Sequence, residues 1–378
     1  MKHHANNSIS SFISYWFRTV DLFNLSMIIF LITLGILFVT SASPSIAFKK
    51  ELGELYFIKK QSIFIILAVI TLLVFSLFSI KGIINISFIG GGISLALILL
   101  TLTQNHVNNG AARWIEISGF SLQPSEFLKP FIIVIFSYFL VNFETFIYRK
   151  IRLRGNIIAL MILFITCLLL SLQPNFSMLT IIFLVFASQY FIAGVNIRWA
   201  FFTFLNILIF SLIAYFSMGH VKSRINNFLF GDKPEYQVEK SIKAYQAGGY
   251  FGKGPGKGTV KKYIPDAHTD FIFPVIAEEY GIITCFIVIM IIYSIFFRGL
   301  YRISGCQNRF ELVACSGLLV LFILQSLINI SVSIKIIPTT GVTLPLISYG
   351  GSSLISICMA LGMMLAFTKK QFEGIIKV

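Results

Sequence analysis

Long apolar runs, set one after another with brief polar breaks, constrain this chain more than any other feature. A helix needs about 20 predominantly apolar residues to cross the hydrocarbon core of a bilayer. Ten such runs occur, at residues 22–42, 57–80, 83–103, 128–147, 155–172, 176–194, 199–217, 272–297, 310–334 and 344–367. Lys81-Gly82 alone separates the second from the third, and Gln173-Pro174-Asn175 turns the fifth into the sixth as a tight hairpin. In lipid the backbone must satisfy its own hydrogen bonds, which leaves helices or closed barrels. Barrel strands would alternate apolar with polar residues, and these runs do not. Composition agrees, with 57% hydrophobic and 12% charged residues against about 25% charged in a soluble domain. The fold class is an all-α polytopic membrane protein of about ten transmembrane helices.

The runs divide the chain into an N-terminal segment (1–21), a membrane domain (22–368) and a short tail (369–378). One large polar loop, 218–271, joins the seventh and eighth spans. Ten spans put both termini on one side. That side would receive fourteen lysines and arginines from the short segments, against seven opposite, which makes the termini cytoplasmic and the large loop extracytoplasmic. The loop itself adds nine basic residues against five acids, so the outer face is basic. The net charge of +15 suits anionic headgroups or an anionic substrate, and nucleic acid is not an expected partner. Ser41-Ala42-Ser43 resembles a signal-peptidase site, but the preceding run is longer than a signal-peptide core; an uncleaved first span is expected. Cys167, Cys285, Cys306, Cys315 and Cys358 show no metal or disulfide spacing and read as small packing residues.

Three stretches carry polar chemistry. In Gln-Pro-Ser-Glu-Phe-Leu-Lys (123–129), Glu126 and Lys129 share a helix face and can pair, at a membrane edge where charges mark a site or a tie between helices. Trp114 beside Arg113 reads first as an interfacial anchor. The second stretch runs from Gly-Gly-Tyr-Phe-Gly-Lys-Gly-Pro-Gly-Lys-Gly (248–258) to Tyr-Ile-Pro-Asp-Ala-His-Thr-Asp-Phe-Ile-Phe (263–273). The glycine run is not a nucleotide loop, because Gly254 and Gly258 stand where Ser or Thr would follow Gly-Lys. It reads as flexible backbone whose lysines can approach a phosphate. His268 or Thr269 can cap the following span and put Asp270 in its first turn. Helical spacing would then place Asp270, Pro274 and Glu278 on one face. The third stretch, Thr-Leu-Pro-Leu-Ile-Ser-Tyr-Gly-Gly-Ser-Ser (343–353), interrupts the start of the last span, which is tolerated where backbone is buried or lines a cavity. Gln325 and Asn329 can face the same interior; packing of small residues is the alternative.

Asn-Gly-Ala-Ala-Arg-Trp-Ile (109–115), Gln-Pro-Ser-Glu, the series Gln237, Ser241, Ala244, Gly248-Gly249, Gly252, Gly254, then Asp-Ala-His-Thr-Asp-Phe-Ile-Phe and Pro-x-x-Ser-Tyr-Gly-Gly-Ser-Ser resemble the SEDS family (shape, elongation, division and sporulation) in order and over nearly the whole chain. The form of the Asp-Ala-His-Thr-Asp and Ser-Tyr-Gly-Gly-Ser-Ser motifs is closer to division members than to elongation members. The resemblance implies a peptidoglycan glycosyltransferase that polymerises lipid II and releases undecaprenyl pyrophosphate. It implies Asp270 as the essential extracellular aspartate, acting as catalytic base. Trp114, Glu126 and Lys129 would be functional residues of the earlier loop. Arg113, Arg224, Lys253, Lys257, His268 and Ser348 complete the expected substrate-binding set. Glu126 and Asp270 are the carboxylates available to a divalent ion such as Mg or Mn. A class B penicillin-binding protein, other divisome proteins and membrane lipids are the implied partners, in the bacterial inner membrane at the division septum. The alternative function is a lipid II flippase. The family often has Asp where this chain has Asn175, so no charged role is expected there. A solute transporter fits less well, because its ionisable residues would lie near the midplane between repeats.

Overall fold

The computed structural model describes residues 14–53, 55–103, 113–117, 120–141, 146–148, 151–194, 215–216, 219–230 and 235–369. Nine apolar helices lie among them: α1 (Leu22–Lys49), α2 (Tyr56–Leu77), α3 (Ile80–Thr103), α4 (Pro124–Val141), α5 (Gly155–Leu172), α6 (Phe176–Ile192), then, after two shorter polar helices α7 (Gly219–Phe230) and α8 (Tyr236–Gly248), α9 (Ile272–Ser304), α10 (Arg309–Ser333) and α11 (Gly351–Phe367). Seven of the nine are long and apolar enough to cross a membrane, with α6 and α11 somewhat shorter. The expected seventh span, 199–217, falls almost wholly outside the described residues. Two short hairpins, β1 (Ile115–Ile117) with β2 (Phe120–Leu122) and β3 (Phe146–Tyr148) with β4 (Ile151–Leu153), are the described strands.

Burial sorts the helices. The apolar windows of α4 and α10 are 78% and 72% buried and those of α2, α3 and α9 only 28%, so the first two are central and the last three face lipid. Residues Leu354 and Ser356–Phe367 of α11 are all buried, which makes it the innermost element. Lipid tails give helices little hydrophobic reason to associate, so packing relies on small residues and polar ties. A methyl group on Gly362 would stand 2.6 Å from the Leu72 carbonyl oxygen, and one on Gly90 2.5 Å from the Phe131 ring. Helices α2 and α11, and α3 and α4, therefore pack with almost no gap. Helix α1 is tied to α9 at both ends. Buried Asp21 caps α1 by accepting from the Phe23 amide and accepts from Arg298 Nε at 3.1 Å and Arg302 Nε at 3.0 Å. At the other end Ser41 donates to Glu279.

Two expectations need correction. Helix α1 runs to Lys49 through Pro44, with Ser41, Ala42 and Ser43 buried inside it; a proline within a membrane helix survives where neighbours re-satisfy the backbone. The α4 helix starts at Pro124, with Glu126 in its first turn, as the preference of proline for that position leads one to expect. The glycine run is not loose. Glu278 Oε1 accepts from the Thr259 and Val260 amides at 2.7 and 2.8 Å, and its Oε2 from the Lys261 amide at 2.8 Å. Glu279 accepts from the Gly258 amide at 3.2 Å and pairs with Lys261 Nζ at 2.5 Å. The loop seats on a break in α9 at Gly281, whose φ of 83° and ψ of 169° only glycine adopts readily. Residues 343–350 are, as expected, irregular ahead of α11, and 344–348 among them are buried.

Candidate functional site at the membrane edge

Helices α4, α9 and α11 begin at one cleft, which the second and third turns of α2 flank. Its lining includes Lys60 and Phe64 from the second and third turns of α2, Gln123 and Glu126 at the start of α4, Thr269 and Asp270 just before α9, and Gly350–Ser353 at the start of α11, together with Trp114, Ser121, Gly341, Thr343 and Tyr349. The enclosed space is about 280 Å³. Helix N-termini carry unsatisfied amides and a partial positive charge, so their convergence favours an anion. Phosphate groups bind at such ends as a rule.

Behind the lining, polar side chains are held rigidly. Lys129 Nζ, fully buried, lies 2.7 Å from Glu126 Oε2 and donates to Gln325 Oε1 at 3.0 Å. Gln325 Nε2 donates to Ser353 Oγ at 3.3 Å, and Ser353 bonds Thr343 Oγ1 at 2.8 Å. Asn329 Nδ2 donates to the Asp270 and Val342 carbonyls at 2.8 and 2.7 Å, joining α10 to the turn that carries Asp270. Asp270 itself is half-buried, and a methyl group on Gly341 would stand 3.6 Å from its Oδ2. The backbone is thus pinned while the carboxylate reaches the cleft.

Of the expected site residues, Asp270, Glu126 and Trp114 line the cleft together, with Lys129 directly behind Glu126. Others do not reach it. Arg113 donates through Nε to the Gln173 carbonyl at 3.1 Å and through Nη2 to that of Pro174, so its guanidinium holds the α5–α6 hairpin. Ser348 is buried, with its hydroxyl donating to the Thr269 carbonyl at 2.6 Å and accepting from the Leu344 amide at 2.9 Å. His268 is a core residue, its ring 4.6 Å from that of Phe57 and 5.0 Å from that of Tyr349. Burial, with Lys50 adding to it, pushes its pKa down to about 4, so it is neutral and contributes shape. Lys253 lies 3.6 Å from Glu278 and Lys257 is exposed, both on the glycine loop and outside the cleft lining. Arg224 falls on α7, and its side chain lies outside the described residues. Asp270 and Glu278 do not share a face, because helical geometry starts only at Ile272 and Glu278 turns to the loop.

Lys60 is the residue that the motifs did not reveal. In sequence it is one of two adjacent lysines flanking a span, a pattern that orientation alone explains. Folding sets it against residues 341–353. Asn175 also joins the site's support, its Nδ2 donating to Ser125 Oγ at 3.3 Å beside Glu126.

A divalent ion is poorly served by the protein alone. Glu126 is matched to Lys129, and no cluster of three or more His, Cys, Asp or Glu ligands occurs among the described residues.

Fold and site together define a polytopic helical membrane protein with an anion-ready cleft at one membrane edge. The chain belongs to the family of FtsW, RodA and SpoVE: that family's model, described as cell cycle protein, matches residues 22–372. A relative from Caulobacter vibrioides, the probable peptidoglycan glycosyltransferase FtsW, is 36% identical over 358 residues, covering 94% of this chain and 91% of its own. Among solved structures, a chain from a study of structural coordination of polymerization and crosslinking by a peptidoglycan synthase complex superimposes with a TM-score of 0.75 at 22% identity, covering 92% of this chain and 97% of its own. The rod shape determining protein RodA of Thermus thermophilus gives 0.67 at 22% identity, with 92% and 96% covered.

Proposed function

We propose that this chain is a peptidoglycan glycosyltransferase that polymerises lipid II during septal wall synthesis. The observation that carries the reading is the convergence of Asp270, Lys60 and the N-termini of α4, α9 and α11 on one cleft at the membrane edge. A sugar hydroxyl attacks the anomeric carbon of the lipid-linked donor while the bond from that carbon to the pyrophosphate oxygen breaks. Asp270 accepts the hydroxyl proton, which requires hydrogen-bond reach. Lys60 and the helix ends stabilise the negative charge growing on the leaving pyrophosphate, a preorganised electrostatic contribution. Glu126 and Lys129 act as positioning residues, since Lys129 is sealed behind the lining. Trp114, 41% exposed at the rim, offers a face for a sugar or prenyl group. The name of the Caulobacter relative supports this assignment, and the synthase-complex neighbour supports a crosslinking partner, for which a class B penicillin-binding protein is our choice. We read the cleft and residues 218–271 as extracytoplasmic, both termini as cytoplasmic, and the location as the inner membrane at the septum.

The test is polymerisation of purified lipid II by the chain with and without that partner. Asp270→Asn removes the base and little volume, so the variant should fold, bind partner and make no glycan. Polymerisation at the wild-type rate would refute the catalytic role. Lipid II transport across vesicles by a wild-type chain that never polymerises would favour the flippase instead.

A further inference from the structure

The turn between α5 and α6, with the first residues of α6, lines no part of the cleft, yet it is tied to three segments that do. Arg113 donates through Nε to the Gln173 carbonyl at 3.1 Å and through Nη2 to the Pro174 carbonyl. Asn175 Nδ2 donates to Ser125 Oγ at 3.3 Å, and Ser177 Oγ to the Thr340 carbonyl at 2.5 Å. Each tie stops one residue short of the lining: Arg113 precedes Trp114, Ser125 precedes Glu126 and Thr340 precedes Gly341. Those three lining residues belong to three walls, namely the strap that enters β1, the first turn of α4 and the irregular stretch ahead of α11. Residues 173–177 thus fix where the three walls stand relative to one another.

A tie positions something only if its other end is held, and α6 supplies that end. Gln189, fully buried, donates through Nε2 to the Ile133 carbonyl at 2.9 Å and to Ser137 Oγ at 2.6 Å, both on α4. A methyl group on Gly317 of α10 would stand 2.5 Å from that nitrogen, so α6 is locked against both central helices. Gln173 and Asn175, 1% and 3% exposed, carry the lock to the outer end. The strap brings little rigidity of its own, since β1 and β2 are three residues each and pair with each other; an isolated two-stranded hairpin is marginally stable at best. Satisfied polar contacts in a low-dielectric interior rigidify what they join. We infer that the α5–α6 turn is a positioning element for the cleft, and that Arg113 acts through it to hold Trp114 at the rim instead of touching substrate. The kinetic consequence rests on the proposed polymerase activity; the geometric one does not.

Arg113→Met keeps the side-chain stem and removes the donors, whereas Arg113→Lys keeps the charge and a donor. Spin labels at Glu116→Cys and Ile336→Cys, both exposed positions, report the distance from the strap to the end of α10. The carrier is the full chain in bilayer discs without substrate, its five native cysteines replaced by alanine. The distance distribution should be narrow in that chain and broad when Arg113→Met is added. In lipid II polymerisation Arg113→Met should lower kcat about tenfold with KM changed less than about threefold, because a misplacement of about 1 Å can cost about 10²-fold. Arg113→Lys should recover most of the loss. Ser177→Ala cuts a different tie to the same turn and should lower kcat in the same way, so it reads the turn even where Arg113→Met fails to fold. An unbroadened distribution in Arg113→Met overturns the inference, as does wild-type kcat in Ser177→Ala. A raised KM at unchanged kcat in Arg113→Met also overturns it, by placing that side chain on the substrate. A chain that never polymerises, yet broadens with Arg113→Met, refutes the proposed function and keeps the turn as the anchor of the strap.

Discussion

At the residue scale, the division of labour among charged groups is readable from burial. Lys129 has no exposure and is matched to Glu126, whereas Lys60 lines the cleft. Lys60→Met should therefore cut polymerisation by about 10²-fold, comparable to losing one oxyanion-stabilising donor, and Lys60→Arg should restore much of it; lipid II turnover by the two variants decides the matter. The sequence motifs pointed to Asp270, Glu126 and Trp114, which the fold brings to one cleft; Asp270 and Glu126 each lie two residues from a helix start. They could not separate lining from support: Ser348, Arg113 and His268 lie in or beside the same motifs but spend their polar groups, or bury their rings, inside the protein. His268 gives a pH signature. Its pKa of about 4 in the fold lies below the ordinary value of about 6.5. The unfolded chain thus takes up a proton that the folded chain refuses, so stability falls as pH drops from about 6.5 towards 4, by on the order of 3 kcal/mol in full. Thermal unfolding in detergent at a series of pH values should show that slope, and His268→Phe should flatten it.

At the element scale, the spans were legible because lipid forces long apolar runs, and their ends were less so. Nothing in the local pattern distinguishes a helix that stops near residue 42 from one that continues through Pro44 to Lys49. The break at Gly281 is similarly silent, since Glu278-Glu279-Tyr280-Gly281 reads as the beginning of an uninterrupted span. Its cause is tertiary. A methyl group on Gly281 would meet the Tyr250 carbonyl oxygen at 2.2 Å, and one on Gly252 the Glu279 carbonyl oxygen at 2.3 Å. Gly281→Ala combines that collision with a positive-φ, extended-ψ backbone that is essentially confined to glycine and costs about 1–3 kcal/mol. The glycine loop should then lift from α9, exposing residues 249–258 to protease and lowering the melting temperature. Limited proteolysis followed by mass spectrometry reads this directly; a variant as resistant as wild type would show that the seat does not depend on close approach.

At the scale of the whole molecule, the helices that open on the cleft all run the same way, so one orientation in the membrane decides where the chemistry happens. Phe251→Cys, on a side chain 83% exposed, should react with an impermeant thiol reagent in intact cells after native thiols are masked. Reaction only after permeabilisation would put the loop, and the cleft with it, on the cytoplasmic face. The double tie between α1 and α9 has a further consequence. From Asp21 to Ser41 is twenty residues, about 30 Å of helical rise, so the ties at Arg298 and Arg302 and at Glu279 are separated by about the thickness of the hydrocarbon core. A single helix answers hydrophobic mismatch by tilting; two helices fastened to each other top and bottom cannot slide apart to do so. Thin or thick bilayers must instead deform around this pair or load the Ser41–Glu279 fastening, the one that also seats the glycine loop. Acyl-chain length thereby becomes a mechanical input to the loop that leads into Asp270.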